Sequence, residues 1–213
     1  MNQILYVGNK FIKNKKNLYF FKIILIVSIG ILVSSIFYFF ATAYKLKKKE
    51  NLSSALINSF YIDNLYSTND DYTIITLNNS DYFSVIGIIK IDKLGIKYPI
   101  LSTTTKSLLE ISPCRFFGSY PNEVGNLCIV GHNYDNETFF SNLHLLKIND
   151  NIEVCDSKNS YLTYKVYDIY EVYSNDMSCI SQNTNGQKEI TLITCNNNNG
   201  KRLIVKAKSK EDI

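Results

Sequence analysis

Tryptophan is absent from the 213 residues, histidine and methionine occur twice each, and proline three times. The missing tryptophan accompanies abundant Asn, Ile, Lys and Tyr, as an A+T-rich gene would give, and excludes no mechanism. The scarcity of histidine is more useful, because only His132 and His144 can offer an imidazole. Cysteine occurs five times, an odd number. If one is a reactive thiol, four remain, and four allow three pairings. Their spacing is irregular, so no disulfide framework follows. Cys128 lies in an apolar run and reads as a buried free thiol. No C-x-x-C pair occurs, which argues against zinc. Glu123, Asp135 and Glu137 are too few for a calcium cluster. No cofactor or metal is therefore expected. The net charge of +4 is small. It comes largely from lysines beside one apolar segment, so it gives no reason to expect nucleic acid. No internal repeat is present.

The long apolar segment is Ile23 to Tyr44. It carries no charge and is built from Ile, Leu, Val and Phe. A helix of about 20 such residues spans the ~30 Å hydrocarbon core of a bilayer. Lys22 can snorkel at its edge. Ala41-Thr42-Ala43 matches the small-x-small cleavage pattern, so a secretory signal is the rival reading. The run exceeds the 7–15 residues usual for a signal h-region, which favours an uncleaved anchor. Lysines flank both ends, so charge barely orients the span. The short arm 1–22 and the large C-terminal part favour a cytoplasmic arm and an external domain.

Residues 45–83 are polar and read as an extracellular linker, partly ordered at best. Asn51 to Phe60 reads as a short helix within it, and Ser67 to Asp71 as a loop. From Ser84 the texture changes. Val85–Ile91 and Ile96–Leu101 read as strands around the turn Asp92–Gly95, with Pro99 marking an edge or bend. Thr103–Ile111 reads as a short helix, Pro113–Phe117 as extended and Gly118–Asn126 as a loop. Leu127–Gly131 is a strand, and Thr138–Leu146 offers one short helix. Asn151–Cys155, Tyr161–Tyr173, Glu189–Thr194 and Arg202–Lys208 complete the strands. Many short strands with few helices imply a closed or sandwiched β domain over 84–213.

The chemistry gathers at the ends of three of these strands. Cys195 closes the run Glu189–Thr194. Asn196–Gly200 is turn chemistry, and Arg202 opens the next strand. His132 stands at the exit of Leu127–Gly131. A thiol, an imidazole and a guanidinium together suit acyl transfer through a covalent intermediate. Each has a plainer reading. Cys195 alone is as readily an inert strand-end thiol, His132 a loop histidine, and Arg202 a strand cap or ion-pair partner. His144, between Leu143 and Leu145, reads as structural or surface, and Lys201 as solvated. Thr194 and Asn133 read as substrate contacts, with Tyr134 and Asp135 also beside the groove.

These residues resemble the sortase family of Gram-positive surface transpeptidases. The carriers are Thr191-Leu-Ile-Thr-Cys195 with Arg202 downstream, and Gly131-His132 after an apolar strand. Ile86–Ile91 followed by Ile96–Ile100, and Phe139-Phe-Ser-Asn-Leu143, are similar too. The resemblance spans roughly Ser84 to Lys208. It implies a mainly β domain, a closed eight-stranded barrel with a few short helices behind one N-terminal transmembrane helix. It also implies cleavage of an LPxTG-like sorting signal through a thioester on Cys195. His132 would be acid and base, and Arg202 the oxyanion or substrate clamp. The implied partners are sorting-signal proteins, a lipid II-type cell-wall amine and the membrane. The short stretch Ser174–Lys188, the absence of a further span after Lys208 and the absence of an Asp-Pro-aromatic lid make it most like class D.

Other classes fit less well. Cysteine phosphatases place five residues between Cys and Arg and follow the loop with a helix. Here six residues intervene and a strand follows. Papain-type proteases place the nucleophile early and the histidine late, the reverse of this order. A non-catalytic, membrane-tethered β domain, such as an adhesin or pseudoenzyme, is the remaining alternative.

Overall fold

The computed structural model describes residues 2–66, 74–77, 81–134, 138–196 and 200–209. The chain divides into two compact units, Met1–Lys48 and Lys49–Ile213. Helix α1 covers Asn2–Tyr66. In the first unit its large apolar side chains from Leu18 to Tyr44 are exposed. Here the chain has a helix long and apolar enough to cross a membrane. The serine and threonine hydroxyls in this stretch bond back to the helix. Ser28, Ser34, Ser35 and Thr42 donate to carbonyls three or four residues back at 2.6–2.9 Å. Such back-bonding suits an apolar solvent, where an unmet donor costs several kcal/mol.

The second unit is built on a closed barrel. Its strands are β3 (Val85–Ile91), β4 (Ile96–Leu101), β5 (Cys114–Phe117), β6 (Gly125–Val130), β7 (Asn151–Asp156), β8 (Tyr161–Val172), β9 (Lys188–Cys195) and β10 (Arg202–Ser209). The order around the barrel is β10-β8-β7-β3-β4-β5-β6-β9. All pairings are antiparallel except β4–β5 and β6–β9. The eight strands agree with the sequence reading, with ends shifted by one or two residues. Pro99 sits within β4, beside the sparse contact to β5, where one pair, Leu101 and Cys114, is in register. A missing N–H costs little on that side.

β3 explains why its sequence is apolar almost throughout. Ile86, Ile89 and Ile91 point into the barrel core with Ile129, Val154, Leu192 and Val205. Val85 and Ile88 face the other way, into a second cluster with Leu101, Leu108 and Ile111. Residues 49–66 of α1 close that second cluster through Leu56 and Phe60, both buried. Tyr61 places its hydroxyl 2.8 Å from that of Tyr161, and Lys49 pairs with Glu110 at 2.9 Å.

Three expectations are corrected. The expected tether over 45–83 gives way, among the described residues, to a docked helix and a small hairpin. The helix expected over 51–60 runs on to Tyr66. The hairpin is β1 (Ile75–Leu77) with β2 (Asp81–Phe83). The Ser67–Asp71 loop lies outside the described residues. The helix expected over Thr138–Leu146 is instead a series of tight turns with one 3-10 turn at Leu143–Leu145. Phe139 adopts a left-handed φ of 54°, which no α-helix continues through. The helix expected over Thr103–Ile111 shrinks to α2 (Lys106–Leu109), capped by the Thr105 hydroxyl on the Leu108 amide.

Phe60→Ala is expected to destabilise the domain by about 3–5 kcal/mol. Urea unfolding of the full chain in detergent measures it. A change below about 1 kcal/mol would mean that residues 49–66 do not pack as described.

Candidate active site

The site begins with the parallel pairing of β6 and β9. Their register runs from Gly125 opposite Lys188 to Val130 opposite Ile193. Parallel strands end at the same rim of a sheet. Two residues beyond Val130 comes His132, and two beyond Ile193 comes Cys195. The last backbone bond of the pair is Gly131 N–H to the Ile193 carbonyl, 3.1 Å. On the other side of β9, β10 runs antiparallel with Arg202 opposite Cys195. Three neighbouring strands thus bring the imidazole, thiol and guanidinium positions to one rim.

The histidine turn is held from several directions. Gly131 packs on Phe140, and a β-carbon at residue 131 would lie 2.7 Å from that ring. The Phe140 amide donates to the His132 carbonyl at 3.0 Å. The Tyr134 amide donates to Ser141 Oγ at 2.9 Å. The rings of His132 and Tyr134 lie 4.8 Å apart. Burial lowers the His132 pKa below its ordinary value; Glu110 opposes this and Lys49 reinforces it. His144 sits in the Leu143–Leu145 turn, exposed, with Nδ1 3.0 Å from the Ser141 carbonyl.

Cys195 is exposed, while Cys114, Cys128, Cys155 and Cys179 are buried free thiols. Desolvation pushes Cys114 and Cys128 up to about 12 and raises Cys155 and Cys179. Thiolate chemistry is thereby withheld from those four. Arg202 is half-buried, with Nη1 3.8 Å from Met177 Sδ. Among the described residues it has no carboxylate partner. Asn196 N–H, the amide after Cys195, donates to the Lys201 carbonyl at 2.7 Å. That amide is therefore committed within its own loop, and the Arg202 position lies opposite Cys195 on the neighbouring strand.

Two further side chains expected at the groove have internal partners. Thr194 is buried and donates its hydroxyl to the Gly131 carbonyl at 2.8 Å. It ties the end of β9 to the end of β6. Asn133 Nδ2 donates to the Cys195 carbonyl at 2.8 Å. Asp135 and Glu137 lie outside the described residues, and Glu123 accepts from the Tyr120 amide. Met177, Glu110 and Lys49 were not legible as neighbours of the site. The sequence places Asn126 in a loop, yet it is the second residue of β6 and pins the turn near Met177. Its amide donates to the Cys179 and Ser181 carbonyls, and its Oδ1 accepts from Thr191.

The comparisons agree with this fold. A family profile for the sortase domain matches residues 89–210, more than half the chain. Among curated proteins none matches significantly. A Clostridium perfringens sortase D5 transpeptidase matches in structure with a TM-score of 0.63 and 27% identity, over 75% of this chain and 98% of that one. A C. perfringens sortase C, solved with the C-terminal cell wall sorting motif, matches at 0.55 and 23%, over 77% and 90%. Sortase A of Corynebacterium diphtheriae matches at 0.55 and 22%, over 76% and 83%. The last two support the fold alone. With the barrel and the T-L-I-T-C strand end in place, the chain belongs to the sortase family, whose members are cysteine transpeptidases.

Glu110 raises the His132 pKa, so Glu110→Gln is expected to move it further down. Proton NMR titration of the two histidine rings measures this. The His132 midpoint should lie below the ordinary ~6.5 and fall again in the variant. An unchanged or raised midpoint would contradict the placement of Glu110.

Proposed function

We propose that this chain is a membrane-anchored sortase that cleaves an LPxTG-like sorting signal and joins the new acyl end of the amino-terminal fragment to a cell-wall amine. The observation that carries the reading is the rim itself: the one exposed cysteine, with His132 and Arg202 at adjoining strand ends. The N-terminal helix supports a single-pass anchor spanning 23–44, with the arm 1–22 in the cytoplasm and the catalytic domain outside. The match to the sortase D5 transpeptidase supports a class D assignment. The sorting motif bound by the sortase C neighbour supports a sorting signal as substrate here. A lipid II-type amine is the acceptor that suits a membrane-bound enzyme.

The chemistry runs in two halves. Cys195 Sγ attacks the scissile carbonyl carbon, forming a C–S bond and a tetrahedral oxyanion. Arg202 donates to that oxygen. The C–N bond breaks as the His132 imidazolium gives its proton to the leaving amine. The acceptor amine then attacks the thioester, neutral His132 takes its proton, and the Cys195 thiolate leaves. Burial of His132 eases its cycling between the two forms, because it weakens the imidazolium's hold on its proton.

Four variants test the roles on a panel of LPxTG-type peptides. Cys195→Ala should abolish cleavage. His132→Ala should lose roughly 10²–10⁴-fold in turnover. Arg202→Lys should be nearly as harmful as Arg202→Ala, because a point-charge ammonium cannot replace two parallel guanidinium donors. Cleavage of no panel member by the folded wild type, or full activity in Cys195→Ala, would refute the proposal.

A further inference from the structure

We propose that Asn133 is a positioning residue, not a substrate contact: its carboxamide locks the histidine turn onto the nucleophile's own peptide. This rests on the reading of Cys195 as nucleophile and His132 as acid and base.

The backbone ladder between β6 and β9 stops short of both reacting side chains. Its last rung joins Gly131 N–H to the Ile193 carbonyl. Beyond that point side chains take over the pairing. The Thr194 hydroxyl donates across to the Gly131 carbonyl at 2.8 Å. The Asn133 carboxamide donates back across to the Cys195 carbonyl, also at 2.8 Å. The two residues flanking His132 are thus both tied to β9, one on each side. The imidazole cannot move along or away from the thiol's strand without breaking one of these rungs.

The opposite face of the turn is fixed as well. Asn133 forms an isolated antiparallel bridge with Phe139. Phe140 N–H holds the His132 carbonyl, and Ser141 Oγ holds the Tyr134 amide. The peptide that follows the nucleophile is held at both ends. Its carbonyl accepts from Asn133, and its N–H, on Asn196, donates to the Lys201 carbonyl. Asn133 therefore sets two things together: where the imidazole sits and how the Cys195 peptide is turned. Both enter the geometry of the proton transfer and of the attack. A reacting group displaced by about 1 Å can cost 10²-fold.

A residue acting in this way changes turnover and leaves binding alone. The test compares wild type, Asn133→Ala, Asn133→Asp and Cys195→Ala, each as the full chain in detergent, on a fluorogenic peptide carrying an LPxTG motif. Asn133→Asp keeps the shape but loses the donor. Both Asn133 variants should lose roughly 10–100-fold in kcat, with KM held within about twofold. The pH profile of Asn133→Ala should keep its midpoints while its height falls, since no ionising group is removed. Proton NMR, which needs no substrate, should show the His132 ring signals shifted or broadened in Asn133→Ala and those of His144 unchanged. A raised KM with kcat retained would make Asn133 a substrate contact and overturn the proposal. So would wild-type kcat in Asn133→Asp, moved pH midpoints in Asn133→Ala, or unchanged His132 signals there. Activity in Cys195→Ala would instead overturn the underlying assignment of the nucleophile.

Discussion

The site depends on the register of one parallel strand pair. β6 and β9 are far apart in sequence, and their pairing alone decides that His132 and Cys195 end at the same height. Side-chain direction alternates along a strand, so a slip of one residue would turn every side chain of one strand to the wrong face. It would also carry the apolar positions Leu127, Ile129, Ile190 and Leu192 out of the core. Burial of those residues therefore enforces the register that the rim requires. β10 adds Arg202 through its antiparallel pairing with β9, which sets Arg202 opposite Cys195.

Electrostatics and burial then separate one thiol from the rest. Four cysteines lie in apolar surroundings that favour the neutral thiol, and the fifth stands at the open rim. This separation needs no special device at Cys195. It follows from placing the others inside, Cys128 on β6, Cys155 on β7 and Cys114 at the start of β5. The imidazole lies between these extremes, half-buried, with the Lys49–Glu110 pair within electrostatic reach. Lys49 belongs to the helix that covers β3, so the packing of that helix and the protonation of His132 share a residue.

Much of the barrel was legible because its strands obey simple patterns. β8 alternates buried with partly exposed residues through Leu162, Tyr164 and Val166, as a half-buried strand does. β3 is apolar on both faces because both are covered. The covering helix was partly legible too: Ser53, Leu56, Ile57, Phe60 and Tyr61 recur at helical spacing. Its partner surface was not, because Val85, Ile88 and Leu108 meet only in the folded chain. Asn126 was misread for a related reason. A polar residue after glycine reads locally as loop, but three distant partners satisfy its amide in the interior. Cys195, His132 and Arg202 could be picked out because their residue types are scarce and stand at strand ends. The inward commitments of Thr194 and Asn133 could not, since both bonds cross the parallel pair, whose register no local pattern records.

The central claim is that the rim forms a covalent acyl intermediate on one particular sulfur. Mass spectrometry of the intact chain, quenched in acid after mixing with a sorting-signal peptide in the absence of an amine acceptor, tests it most directly. The account predicts a mass increase equal to the peptide's N-terminal acyl fragment, mapped by proteolysis to Cys195 and released by hydroxylamine. Peptide cleavage with no adduct at any time, or an adduct on Cys114, Cys128, Cys155 or Cys179, would contradict it.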